Sequence, residues 1–120
     1  MLEVKATSKY LRTSAQKAGL VLELIRGKKA SDALSILRFT KKAVARDVEK
    51  TLRSAIANAV LVAERNEKRR LDEDDLYVSA CYADQGPSQK RVRPAPMGRA
   101  FQVIKRTTHL TVRVAERESN

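Results

Sequence analysis

The amino terminus alternates apolar and polar residues with a period of two. Leu2, Val4, Ala6, Ser8 and Tyr10 fall on one side, and charged or hydroxyl-bearing residues separate them. Strict alternation of this kind is typical of a strand with one buried face. We therefore predict a first strand here, with that side facing the core.

Three segments then follow the 3.6-residue period of amphipathic helices. The first opens with a capping box formed by Thr13 and Gln16. The second and third are predicted to begin at Ser31 and Thr40, because a hydroxyl at the N-cap can accept a hydrogen bond from the first free amides. The third continues to near Arg65, which makes it the longest helix and the natural centre of the core.

Two further strands are predicted in the second half. One begins at Leu76, where Leu76, Val78, Ala80 and Tyr82 alternate with Tyr77, Ser79, Cys81 and Ala83, and Cys81 is expected to be a small buried or half-buried strand residue. The other begins at Ile104, and its apolar side consists of Thr108, Leu110, Val112 and Val114. Phe101 and Val103 are out of phase with this last pattern, which indicates a bulge or a twist near Val103.

The third helix also contains an unusually small-sided segment, Ser54–Ala59. Small side chains let another backbone approach closely. Tight packing of this helix on a sheet is the favoured interpretation, and close contact with RNA is the alternative.

Positive charge is concentrated between the second and third strands. The formal net charge of the chain is +11, and the 31 residues between Asp84 and Glu116 contain no carboxylate. The basic residues of this window are Lys90, Arg91, Arg93, Arg99, Lys105, Arg106 and Arg113. A run of one sign with several arginines suits a polyphosphate partner, because the guanidinium group matches phosphate geometry.

The segment 84–100 is longer than an ordinary hairpin loop. Pro94 and Pro96 exclude the centre of a sheet but allow an extended ribbon, which would reach roughly 25 Å if half the residues lead out and half return. Little apolar surface is present to offset the entropy of ordering it. We predict one domain, 1–120, with an arm and tip at 84–100 that is either mobile or ordered by a partner.

The composition argues against several other classes of protein. Five aromatic residues are too few for a base-stacking platform. A single cysteine allows no internal disulfide, and neither a signal peptide nor a membrane span is indicated. A cytoplasmic protein with no membrane partner and no homo-oligomer is expected.

Catalysis and metal binding have weak support. Cys81 and His109 could form a dyad across neighbouring strands, but no glycine-rich phosphate loop or nucleophile elbow accompanies them. The acidic run at 72–75 lacks the spacing of a calcium loop. We expect no enzyme activity, no cofactor and no metal. His109 is either an ordinary exposed strand residue or an RNA contact.

A second group of basic residues surrounds the first helix and is a candidate second phosphate footprint. It consists of Arg12, Lys17, Arg26, Lys28 and Lys29. A small DNA-packaging protein is the alternative function. It is less favoured, because proteins that read DNA grooves usually present a basic helix, whereas the charge here is densest on a proline-interrupted ribbon.

Eight short motifs, in this order and spacing, closely resemble the bacterial type of the large-subunit ribosomal protein L twenty-two family. They are Leu24–Lys28, Ser54–Ala59, Leu76–Val78, Gly86–Pro87, Lys90–Arg91, Arg93–Pro94, Gly98–Ala100 and Lys105–Leu110. The resemblance covers nearly the whole chain. It implies an α+β fold with three helices packed on a three-stranded antiparallel sheet and a long extended β-hairpin.

The resemblance also implies a role. Such a protein binds 23S-type ribosomal RNA, contacts neighbouring large-subunit proteins, supports assembly, and lines the polypeptide exit tunnel with its hairpin, where it meets the nascent chain. The hairpin of the family is associated with macrolide response and with stalling.

Site residues follow from the resemblance together with the charge pattern. The predicted ribosomal RNA contacts are Lys90, Arg91, Arg93, Arg99, Lys105, Arg106, Thr107, His109, Arg113, Arg12 and Lys17. The predicted tunnel tip consists of Gln89, Pro94, Ala95, Pro96, Met97 and Gly98. Two positions depart from the family pattern: Ala95-Pro96 stands where Arg-Ala is frequent, and Gly19 stands where the first helix often carries arginine.

Overall fold

The computed structural model describes residues 2–68, 70–94 and 100–116, and for 89–94 and 100–105 it describes the backbone. The strands are β1 (Glu3–Leu11), β2 (Leu76–Gln85), β3 (Gln89–Pro94), β4 (Ala100–Lys105) and β5 (Thr108–Glu116). The helices are α1 (Ala15–Ile25), α2 (Ala30–Phe39) and α3 (Val44–Asn66), and a short 3-10 turn (Glu73–Asp75) precedes β2.

The main sheet has three antiparallel strands in the order β1-β5-β2. The chain therefore places its last described strand in the middle. Leu11 of β1 and Gln85 of β2 both pair with Thr108 of β5, so the three strands come to one edge together. We call this edge the arm end of the domain.

The helices pack on one face of this sheet, α3 over β1 and β5 and α1 over β2. The fully buried side chains at this contact include Val21, Leu22, Ile25, Val48, Leu52, Leu76, Val78, Leu110, Val112 and Val114. Ala55 and Ala59 of the small-sided segment have no exposed surface. Close packing of α3 on the sheet therefore accounts for these two alanines, and the α+β prediction is confirmed.

Strands β3 and β4 form a separate two-stranded ribbon. They pair without a break from Gln89 and Lys105 to Pro94 and Ala100. The molecule measures 67 × 27 × 17 Å with a radius of gyration of 17.8 Å, whereas a compact chain of this length has about 14 Å. The bulge predicted near Val103 is wrong, because the ribbon pairs regularly there and the interruption falls between β4 and β5.

The start of α1 differs by one residue from the prediction. Ser14, not Thr13, is the N-cap, and its hydroxyl accepts a hydrogen bond from the Lys17 amide. Thr13 instead offers its carbonyl to the Thr108 hydroxyl at 2.7 Å. A contact with a distant strand therefore decides which of two adjacent hydroxyl residues caps the helix.

The starts of α2 and α3 were also placed wrongly. Helix α2 begins at Ala30, so Ser31 lies inside it, and no side chain caps its first turn. Thr40 is the C-cap of α2, and its hydroxyl donates to the Ile36 carbonyl at 2.6 Å. Helix α3 starts four residues later, at Val44. Thr40 thus ends one helix rather than opening the next.

In β1 and β2, the side of the strand that faces the core changes partway along the strand. The pairing of β2 with β5 shifts between Val78 and Ala80, and an extra residue reverses the alternation that follows it. Cys81 is consequently buried, as predicted, on the same side as Leu76 and Val78, whereas Ala80 is half-buried and Tyr82 is exposed. Tyr10 of β1 was predicted to face inward, yet it is 63% exposed, because the strand bulges there and Tyr10 adopts a left-handed φ of 60°.

No helix within the described ranges combines the length and the apolar character that crossing a membrane requires.

Candidate nucleic-acid interface

Hydrogen bonds join the ribbon to the domain at its base. We call this base, formed by Gly86, Pro87, Thr107 and His109, the root of the ribbon. The Gly86 amide donates to the Thr107 carbonyl at 2.9 Å, and the Thr107 hydroxyl donates to the Pro87 carbonyl at 2.6 Å. A Cβ at position 86 would lie 2.6 Å from the Thr107 hydroxyl oxygen. Glycine is therefore favoured at this position, because the side chains of Thr107 and His109 occupy the space that a Cβ would enter.

Tyr10 and His109 form a second contact at the root. Lys9 and Tyr10 together oppose His109 in the sheet, which is the two-against-one arrangement of a β-bulge. The Tyr10 amide donates to Nδ1 of His109 at 3.1 Å, and the two rings meet edge to face with centroids 4.9 Å apart. Because Nδ1 accepts this bond, the neutral ring carries its proton on Nε2, which remains available as a donor.

Several predicted RNA contacts are thus occupied within the protein. Thr107 and His109 shape the ribbon root through the bonds just described. Arg113 lies on the open face of the sheet, and its Nη1 is 3.2 Å from a carboxylate oxygen of Glu3. The hydrogen bond that Arg113 donates to Glu3, and to a lesser extent the neighbouring Tyr82, raise the pKa of Arg113. Arg113 is thereby placed away from the ribbon and supplied with a counter-charge.

The other predicted contacts are distributed over the arm end and the ribbon. Arg106 is exposed in the break between β4 and β5, and Arg12 and Lys17 are exposed beside the start of α1. The backbone places four further basic positions on the ribbon: Lys90, Arg91, Arg93 and Lys105. Gln89 and Pro94 bound β3. Ala95, Pro96, Met97, Gly98 and Arg99 lie outside the described residues.

The basic residues around the first helix do not form one cluster. Arg12 and Lys17 lie at the arm end, whereas Arg26 lies at the opposite end of α1 and donates to the Cys81 carbonyl at 2.9 Å. The backbone of Lys28 pairs with that of Val78, near the start of β2. The helix therefore divides the proposed second footprint between its two ends.

The dyad of Cys81 and His109 is not assembled. Cys81 pairs with Val112, whereas His109 pairs with Asp84, three positions further along β2. The Cys81 thiol is buried and lies 3.4 Å from the Leu22 carbonyl, to which it can donate. Burial raises the pKa of the thiol, although nearby Arg26 opposes this shift. Cys81 is therefore a packed strand residue rather than a nucleophile.

Four basic residues were missed at the sequence level. Arg38, Lys41, Lys42 and Arg46 are all exposed around the junction of α2 and α3. The sequence contains a charge pattern that indicates them, because the 14 residues between Asp32 and Asp47 contain these four cations and no carboxylate. The run is shorter than the one between Asp84 and Glu116 and overlaps two predicted helices, so the sequence alone does not distinguish it from an ordinary helix surface.

Fold and charge together define a class. This is an elongated, basic α+β protein whose longest carboxylate-free segment includes both strands of the ribbon, its root and most of β5. Such an arrangement is expected for a protein that binds nucleic acid.

Comparison with known proteins then gives the family. Residues 6–115 match the family model described as ribosomal protein L22p/L17e. The large ribosomal subunit protein uL22 of Solibacter usitatus (strain Ellin6076) is 48% identical over 118 residues, covering 98% of this chain and all of the relative. The protein of the same name from Syntrophobacter fumaroxidans (strain DSM 10017 / MPOB) is 47% identical over 116 residues, covering 97% of this chain and all of the relative.

The chain therefore belongs to the ribosomal protein L22p/L17e family. The resemblance inferred from the motifs is confirmed. Family membership makes the protein a structural, non-enzymatic ribosomal component. The DNA-packaging alternative has no support.

Proposed function

We propose that this protein is an RNA-binding constituent of the large ribosomal subunit in the cytoplasm, in which the ribbon lies along 23S-type ribosomal RNA. One observation carries this proposal: the window without carboxylates contains both strands of the ribbon and its root, and six of its seven basic residues lie within 89–106. Charge of one sign on a narrow projecting element can follow a groove lined by phosphates. Family membership supports the same role.

The ribbon positions the RNA contacts. Lys90, Arg91 and Arg93 follow one another along β3, and Lys105 pairs with Gln89 at the base of the ribbon. Arg106 follows directly in the exposed break. These residues are proposed to hold phosphates of the RNA backbone, where arginine can make two parallel hydrogen bonds. Thr107 and His109 are proposed to contribute mainly by holding the ribbon root, and Nε2 of His109 is an additional donor toward RNA.

The ribbon tip is proposed to line the polypeptide exit tunnel and to meet the nascent chain. Support comes from the family resemblance of Gln89–Ala100 and from the position of Pro94 and Ala100 at the last described pair of the ribbon. The domain is proposed to contact neighbouring large-subunit proteins, to support assembly and to enter the subunit as a monomer.

Binding of purified protein to 23S-type RNA at several salt concentrations tests the electrostatic part of the proposal. Each phosphate contact contributes roughly 0.7 to 0.9 to the log-log salt slope. Lys90, Arg91, Arg93, Arg99, Lys105 and Arg106 should therefore give a slope of about −4 or steeper. A slope near zero, or equal affinity for 16S-type RNA and duplex DNA, would contradict the proposal.

A matched pair of variants locates the binding. Replacing Lys90, Arg91, Arg93 and Lys105 by glutamine should reduce the magnitude of the salt slope by about 3. The control carries the same loss of charge at exposed positions away from the ribbon: Lys28, Arg65, Lys68 and Arg70. Equal effects of both variants would mean that charge in general, rather than the ribbon, determines binding.

The tunnel contact needs a separate measurement. A photoreactive residue at Met97, incorporated into large subunits, should crosslink to a stalled nascent chain, whereas one at exposed Asn66 should not. Crosslinks from Met97 to RNA alone would retain the RNA-binding role and remove the tunnel contact.

A further inference from the structure

The junction of α2 and α3 contains an open groove that the ribbon does not explain. Its volume is about 670 Å³. The charged residues lining it are Arg38, Lys41, Lys42, Arg46, Glu49 and Arg53. Glu49 is neutralised by Arg53, whose guanidinium lies 2.9 Å from it. The charge that remains is therefore that of four cations.

The groove opens at the same end of the domain as the ribbon. Ser8 of β1 and Thr51 of α3 join their hydroxyls at 2.6 Å, and Asn58 reaches back to the Lys5 carbonyl, so α3 runs antiparallel to β1. From Thr51 the first residue of α3 lies about 10 Å along the helix axis, and from Ser8 the last residue of β1 lies about 10 Å along the strand. The start of α3 and the end of β1 therefore both lie at the arm end of the domain.

An exposed aromatic residue accompanies these cations. Phe39 is 81% exposed, and its chain neighbours Arg38 and Thr40 both line the groove. A large apolar ring beside several cations suits a nucleotide, whose phosphate pairs with the cations and whose base stacks on the ring. An acidic peptide would use the cations and leave the ring unexplained.

We propose that this groove is a second RNA-binding site, in which Lys41, Lys42, Arg38 and Arg46 hold phosphates and Phe39 stacks on an unpaired base. The inference rests on the proposed function and extends it, since the same ribosomal RNA that follows the ribbon continues onto the domain. It adds a footprint built from α2 and α3 to the contacts predicted around the first helix.

Two triple variants of equal charge test the site. In the first, Lys41, Lys42 and Arg46 become glutamine; in the control, Arg65, Lys68 and Arg70 at the far end of α3 become glutamine. All six are exposed, so both proteins should melt like the parent. The groove variant should bind 23S-type RNA at least about tenfold more weakly, with the magnitude of the salt slope reduced by about 2 to 3. The control should bind like the parent.

Phe39→Ala separates stacking from charge. It should weaken binding by at least about fivefold while leaving the salt slope unchanged, since no phosphate contact is lost. Unchanged binding would overturn the stacking contact.

Directed cleavage gives a readout that does not depend on affinity. Iron-EDTA tethered at Ala43→Cys, which lines the groove, should cut 23S-type RNA, and the same probe at Asn66→Cys should not cut the same nucleotides. The buried native thiol of Cys81 limits labelling elsewhere.

The outcomes distinguish the two proposals. If the parent does not bind the RNA, the proposed function fails. If the parent binds and the groove variant matches it in affinity and slope, only the groove site is overturned. If RNA binding is retained but the variant is lost from assembled subunits, the groove belongs to an acidic neighbouring protein, which also overturns this inference.

Discussion

The globular domain and the ribbon are stabilised in different ways. The domain buries a continuous apolar cluster between three helices and the main sheet. Strands β3 and β4 pair with each other and with no other strand of the described chain. An isolated two-stranded hairpin is at best marginally stable in water.

This difference separates folding from binding. The domain has the apolar contacts to fold by itself, whereas the ribbon carries charge that repels itself until phosphates neutralise it. Under the proposed function, contact with RNA phosphates stabilises the ribbon, whereas the apolar core stabilises the domain. The root, formed by Gly86, Pro87, Thr107 and His109, joins the ribbon to the domain. Its hydrogen bonds set the direction in which the ribbon leaves the domain.

The largest effect is expected from a charge in the core. Ala55→Asp places a carboxylate at a fully buried position of α3, and an unpaired buried charge should lower the free energy of unfolding by at least about 3 kcal/mol. Ala57→Asp puts the same residue on the exposed face of the same helix, so it should melt close to the parent. Thermal melting followed by circular dichroism compares the two. Equal melting temperatures would mean that the contact of α3 with the sheet does not stabilise the domain.

A smaller effect is expected at the root. Gly86→Ala should cost about 1 to 2 kcal/mol, because the new methyl group displaces the Thr107 hydroxyl from the Pro87 carbonyl. Thr107→Ala should cost about 1 kcal/mol by losing the same bond. The double variant should cost less than the sum, since the clashing hydroxyl is absent. Urea unfolding of all four proteins measures this coupling, and strict additivity would contradict the proposed contact.

The smallest effect on stability is expected from removing the ribbon. Replacing 89–105 by Asn-Gly should change the free energy of unfolding by less than about 1 kcal/mol, because β3 and β4 pair with no strand of the main sheet and Asn-Gly suits a tight turn. Binding to 23S-type RNA should weaken, with the magnitude of the salt slope reduced by about 4 and the contribution of the domain retained. A loss of several kcal/mol in urea unfolding would show instead that the domain depends on the ribbon.

The sequence by itself determined the features that depend on local pattern. The period of 3.6 in α1 and α3 and the alternation of β5 follow from which side chains can share one buried face. The segregation of charge between Asp84 and Glu116 is visible by counting. The eight motifs added the family, which neither periodicity nor charge could have supplied.

Only the tertiary structure decided the features that depend on partners distant in sequence. Thr13 offers its carbonyl to Thr108, and Ser14 caps the helix. The shift after Val78 is a property of pairing with β5, so no pattern within β2 shows it. The roles of Thr107 and His109 likewise became clear only when Pro87 and Tyr10 were placed beside them.

The groove at the junction of α2 and α3 is the clearest example of a feature that the sequence alone does not determine. Its cations could be counted in the sequence, but their position could not. They lie at the arm end because α3 runs antiparallel to β1, an arrangement set by contacts such as Ser8 with Thr51. A charge pattern is local information, whereas the surface to which it belongs is determined by how the elements pack.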